Sequence, residues 1–208
     1  FTSYDYTAYY QIFPSQHVEK LIELEADRMK NLTLTKKNVE IEKQVILEER
    51  FQRIESDPSA QLDESMRSIL FPNHYYGRPI IGWKHEIENL SYQDVIDFYK
   101  ELYNPHNATL ILSGDIKFDD AKKLVKKYYK DYKSPIKLEQ INLENPDLKT
   151  YTNVELKNEN VKQQIWKRIY RTKSYGSSIK ESMALDLGIK ILAGGTSSIL
   201  YEEFVNKK

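Results

Sequence analysis

Residues 39–50 read VEIEKQVILEER, and the placement of Glu42 and Glu49 within them sets the reading of the whole chain. Seven residues is close to two helical turns, so the two carboxylates project from nearly the same line on the cylinder. Val45 and Ile46 occupy the three- and four-residue positions between them. Charge inside an apolar stripe costs free energy unless a cation, donor or metal meets it. Two readings are open. In one, the acids face something that compensates them. In the other, Ile41, Leu47, Phe51 and Ile54 face the core and the glutamates sit on its solvated edge, as befits a good helix former.

Outward from this stretch, Thr35 is a plausible cap for a helix running to about Ser56, where Asp57-Pro58 interrupts it and SAQLDESMRSILF resumes as another. Upstream, SQHVEKLIELEADRM, with Ser15 as a plausible cap, places Val18, Leu21, Ile22, Leu24 and Met29 at near-helical spacing, and FTSYDYTAYYQI (1–12) has the Thr/Tyr alternation of a strand. Downstream, FPNHYYGRPIIG (71–82) carries the Pro/Gly punctuation of an ordered loop. SYQDVIDFYKELY (91–103) reads as a helix, ATLILSGDI (108–116) as a buried strand, and FDDAKKLVKKYYKDY as a helix with a solvated lysine face. From Lys133 to about Asn160 the sequence turns polar and weakly patterned. A second unit follows, with QQIWKRIYR as a strand, SSIKESMALDLGIKILAG as a helix, and Gly194-Gly195 as a stop before another helix.

Strands and helices mixed without βαβ regularity favour an α+β class, an antiparallel sheet flanked by helices. The expected organisation is a first unit over 1–135, a linker over 136–160, and the start of a second, similar unit over 161–208. The chain opens at Phe1 within a strand-like pattern and closes within a helical one, and so reads as a piece of a longer protein.

Composition excludes several functions. The 31 basic and 31 acidic residues cancel, which removes the electrostatic footprint of a general nucleic-acid binder. The absence of cysteine removes disulfides, thiolate nucleophiles and Cys-based metal sites while leaving the compartment open. No apolar run approaches the roughly 18 residues of a membrane span. His17, His74, His85 and His106 include no pair three to five apart, as a helical metal pair requires; His74, inside the punctuated loop, has the best functional claim of the four. The tyrosines, spread through helices, read as core or interface fillers with polar tips rather than stacking platforms.

Five strings in register resemble the insulinase- or pitrilysin-type zinc metallopeptidases (M16), which include the mitochondrial processing peptidases. FTSYDYTAYY is similar to the strand after that family's metal-binding helix. EADRM, and EIEKQVILEER followed by Asp57-Pro58, resemble the stretch holding the distal metal ligand. HYYGRPIIG resembles H-P-Y-G-x-P-I-I-G, YNPHNATLILSGDI resembles Y-x-P-x-N-A-T-L-x-x-x-G-D, and LAGGTSSILYEEF resembles L-G-G-G-x-S-S-R-L-Y. Tyr75 stands where proline is common, Ala193 for a glycine and Ile199 where arginine is usual, departures that bear on subfamily.

The resemblance implies a zinc-dependent endopeptidase acting on extended peptides or unfolded proteins. Its zinc is held by two histidines of an H-x-x-E-H helix and by one later glutamate, matched here by Glu49; Glu42 matches a second acid that orients a ligand or the reacting water, and both carboxylates are expected to point inward toward the neighbouring helix. Metal-bound water, deprotonated by the H-x-x-E-H glutamate, attacks the peptide carbonyl. Phe1, Thr2 and Ser3 match the edge along which such enzymes lay substrate. H-x-x-E-H belongs about thirty residues before Phe1 by the family's spacing, so these 208 residues by themselves are expected to be metal-free and inactive. A homo- or heterodimer with a related subunit is also implied. The alternative is a non-catalytic partner subunit of the same family, against which the retention of both glutamates weighs. The Lys- and Asn-rich composition suggests a bacterial source; compartment does not follow from these residues, bacterial periplasm or cytoplasm being one expectation and the mitochondrial matrix the alternative.

Overall fold

A computed structural model describes residues 1–130, 132 and 143–207. The end of the first expected unit at 135 and the start of the linker at 136 lie outside the described residues. The chain divides into two compact units, Phe1–Lys162 and Gln163–Lys208.

In the first unit three of the helices among the described residues begin where a side chain satisfies a free amide, and the others open without such a cap. Helix α1 spans Val18–Asn31. Helix α2, Lys36–Arg50, opens with a capping box in which Thr35 Oγ1 accepts from the Asn38 amide at 3.1 Å and Asn38 Oδ1 accepts from the Thr35 amide at 3.1 Å. It runs on as a π-helical turn, Phe51–Glu55. Asp57 then caps α3, Pro58–Leu70, by accepting from the Ser59 amide at 2.9 Å, with Pro58 in the first turn where its missing N–H costs nothing. A short α4, Lys84–Asn89, precedes α5, Tyr92–Leu102, whose capping box pairs Ser91 with Asp94. Helix α6 is Phe118–Tyr129.

Helix α1 packs on α6, and α2 packs on α4 and α5. The buried apolar residues are Ile22 and Ala26 of α1, Val39 of α2 and Ile87 of α4. Tyrosine tips tie these layers together through backbone carbonyls, one of them, Met29 O, in the last turn of α1 where intrahelical partners run out. Tyr99 donates to Met29 O at 2.7 Å, Tyr132 to Ala26 O at 2.6 Å and Tyr92 to Leu34 O at 3.2 Å. The reading of tyrosines as apolar bodies with polar tips fits these three.

In the second unit, α7 spans Ile179–Ala193 and α8 spans Ile199–Tyr201. Ser182 is buried and donates to Lys173 O at 3.0 Å, joining α7 to the segment before it. Gly194 closes α7; a Cβ there would stand 2.6 Å from Lys190 O, so only glycine lets the chain turn back this tightly.

The expected α+β architecture with an antiparallel sheet is corrected by the structure. Among the described residues the elements are helical, and the β pairing is one isolated antiparallel bridge, Thr2 with Thr7. Segment 1–12 folds back on itself, 108–113 runs on as irregular backbone with Ile111 81% exposed, and 163–171 does likewise with Trp166 81% exposed. The physical reason is that β-branched and aromatic composition reports a preference for a pleated, half-buried surface, not the presence of a partner. A strand exists only when a second backbone lies beside it at roughly 4.8 Å.

Candidate functional site

The inward face of α2 is made by Val39, Lys43, Ile46, Leu47 and Arg50, buried or half-buried at helical spacing. Glu42 and Glu49 share a line on a different face. Glu42 is exposed and Glu49 half-exposed, and beside them Ile41 and Val45 are 51% and 53% exposed. The common line follows their spacing, but the expected inward direction is corrected: the line borders an uncovered apolar strip rather than the core. Glu49 Oε1 meets Arg53 Nη1 at 2.7 Å, a surface pair one turn apart with Arg53 73% exposed. Such a pair is weak and screened by salt, so it leaves the carboxylate free to exchange partners. The alternative core face also needs revision, since Ile41 and Phe51 are each 51% exposed.

Arg50, adjacent to Glu49, is only 5% exposed. Its Nη1 donates to Glu64 Oε2 at 3.0 Å and to Gly82 O at 2.7 Å, and its Nη2 donates to Glu64 Oε1 at 2.9 Å. Glu55 Oε1 lies 3.4 Å from Nε. This planar fork fastens the end of α2 to α3 and to the loop at Gly82, a geometry that guanidinium alone provides. Sequence reasoning passed over Arg50. The available signal was its register, eleven residues after Val39 and four after Ile46, on the apolar face.

Phe1, Thr2 and Ser3 form one arm of a hairpin. The Phe1 nitrogen donates to Ala8 O at 2.9 Å, the Ala8 amide to Phe1 O at 2.9 Å, and the Ser3 amide to Tyr6 O at 2.8 Å. Antiparallel alternation then turns the amide and carbonyl of Thr2 toward the opposite, outer edge. The hairpin's turn rests on loop 71–82, where Tyr76 donates to Asp5 Oδ1 and Oδ2 at 3.0 and 2.9 Å. That hydrogen bond to a carboxylate holds the Tyr76 phenol above its ordinary range. His74, the histidine with the best sequence claim, accepts the Tyr76 amide on Nδ1 at 3.2 Å and packs edge-on to the Tyr76 ring at 4.5 Å. In this arrangement it caps a turn.

Zinc takes four ligands, three or more from protein. Among the described residues no group of three His, Cys, Asp or Glu side chains converges to hold a metal ion. Glu42 and Glu49 offer carboxylates of the right chemistry, but these two residues alone do not make a zinc site. Among them, too, no helix is long and apolar enough to cross a membrane.

Comparison with known proteins bears directly on this arrangement. The profile of Insulinase (Peptidase family M16) matches residues 1–84, and that of the Peptidase M16 inactive domain matches residues 89–208. The chain is similar to the zinc protease PqqE of Helicobacter pylori, 27% identical over 217 residues, covering 100% of this chain and 47% of that protein. It is also similar to the human mitochondrial-processing peptidase subunit beta, 28% identical over 131 residues, covering 63% of this chain and 27% of that one. The crystal structure of a protease from Helicobacter pylori superposes with a TM-score of 0.68 at 26% identity, over 93% of this chain and 46% of the other. The chain thus spans about half the length, or less, of the relatives it matches. With both profiles in register across nearly every residue, the chain belongs to the M16, insulinase-type, peptidase family.

Proposed function

We propose that this chain forms part of a zinc metalloendopeptidase, with Glu49 as one ligand of the metal and Glu42 as the acid that orients a ligand or the reacting water. The remaining ligands come from residues outside these 208. The observation that carries the reading is the shared line of Glu42 and Glu49 on α2, beside the uncovered Ile41 and Val45 and away from the Arg50 face. A carboxylate paired with the solvated Arg53 is available to a cation, whereas one locked like Glu64 is not. Substrate is an extended peptide or unfolded protein laid along Phe1, Thr2 and Ser3, where the outward backbone groups of Thr2 bond a main chain largely regardless of its side chains. A related subunit is the partner class this reading carries.

The test uses the protein that contains this stretch together with an H-x-x-E-H segment. Glu49→Gln is expected to remove most of the roughly one zinc per chain and abolish peptide hydrolysis. Glu42→Gln is expected to weaken zinc binding or activity about 10- to 100-fold. Zinc content and hydrolysis untouched by Glu49→Gln would overturn the assignment and favour a non-catalytic partner subunit.

A further inference from the structure

The H-Y-Y-G loop is the motif whose chemistry the peptidase reading leaves unused, and its contacts converge on the hairpin. A two-stranded hairpin standing alone is at best marginally stable in water, so the Phe1–Ala8 edge needs an external hold. Its turn residues find one. The Asp5 carboxylate accepts the single Tyr76 hydroxyl proton between its two oxygens, at 3.0 and 2.9 Å. The Tyr4 ring lies 5.0 Å from the Tyr76 ring and 5.3 Å from the Arg67 guanidinium of α3. Tyr76 is itself fixed from below, its ring edge-on to Phe71 at 5.9 Å and to His74 at 4.5 Å, and its amide bonded to His74 Nδ1 at 3.2 Å. Gly77 lets the loop close, since a Cβ there would stand 2.2 Å from Phe71 O.

We propose that Tyr76 is a positioning residue for substrate: through its hydroxyl bond to Asp5, backed by His74, it holds the Phe1–Ala8 hairpin at the register in which Thr2 presents its backbone to an extended peptide. The inference rests on the reading of Phe1, Thr2 and Ser3 as a peptide edge. Tyr76 touches neither substrate nor metal; it acts through the hairpin. The Asp5 end matters as much as the tyrosine, and an amide at that position keeps an acceptor oxygen for the hydroxyl.

Two measurements on the 208-residue chain separate the inference from the reading beneath it. The first is amide hydrogen exchange. In Tyr76→Phe the Ser3 and Ala8 amides, which bond to Tyr6 O and Phe1 O, exchange about 3- to 10-fold faster, while Ile22 and Val39 amides in the helices keep their rates. Asp5→Ala behaves the same way and Asp5→Asn retains most of the protection. The second is anisotropy of a fluorescein-labelled, unstructured peptide rich in alanine and serine, which binds Tyr76→Phe about 3- to 10-fold more weakly than the unsubstituted chain. Unchanged Ser3 and Ala8 exchange in Tyr76→Phe overturns the hold. Faster exchange with unchanged peptide affinity overturns the positioning role. No peptide binding by the unsubstituted chain, with exchange responding as expected, overturns the edge reading instead.

Discussion

A single guanidinium decides how the end of α2 is fixed. Arg50 is 5% exposed, and its fork meets both oxygens of Glu64, whose side chain is 16% exposed, so each charge compensates the other out of water. Replacing Arg50 by Met leaves Glu64 without its partner and is expected to lower unfolding stability by about 3–5 kcal/mol, read from urea denaturation midpoints. Arg50→Met combined with Glu64→Leu restores much of that loss, because a buried pair exchanged for apolar side chains is often neutral. Arg50→Lys does not rescue, since an ammonium cannot serve Glu64 and Gly82 O in one plane. The register of Glu42 and Glu49 was legible from their spacing because helical period depends on geometry alone. Arg50 was not, because a charged residue is ordinarily assigned to solvent and its half-buried carboxylate partner lies fourteen residues away in sequence, on another helix. His74, given the best functional claim of the four histidines, caps a turn instead, a role that depends on where the Tyr76 amide points.

Most elements with local signals were read well, and those needing distant partners were not; Ser15, expected to cap the first helix, instead opens a 3-10 turn, and α1 begins at Val18 without a side-chain cap. Thr35, Asp57-Pro58, Ser91 and Gly194 mark the helix ends that the sequence suggests, because capping is settled within a few residues. Helix α4 escaped notice: six residues with Ile87 alone buried give too little periodicity to see. The strands failed for the converse reason, since pairing is a property of two segments and only Thr2–Thr7 meets that condition among the described residues. Loop 71–82 tests this scale. Gly77→Ala places a methyl 2.2 Å from Phe71 O and is expected to cost about 1–3 kcal/mol and lower the thermal midpoint, loosening the hairpin as well. Gly176→Ala, where the nearest atom is Ser174 Oγ at 3.8 Å, serves as the neutral control.

Across the whole molecule, family membership and local geometry converge on α2. Two profiles of one family match 1–84 and 89–208, and the helix between the hairpin and the H-Y-Y-G loop turns its paired acids to an uncovered face while Arg50 secures the other. The resemblance in five short strings reached the family correctly, because motif order survives where a sheet cannot be inferred from composition. The described residues lack a converging ligand group, so the placement of Glu49 matters more than any other single feature. Anomalous scattering at the zinc edge, from crystals of the protein carrying both this stretch and an H-x-x-E-H helix, addresses it directly. The expected result is a peak roughly 2.0–2.2 Å from a Glu49 carboxylate oxygen, with Arg53 released from its pair. A zinc ion held wholly by other residues, with Glu49 still bound to Arg53, would contradict the account.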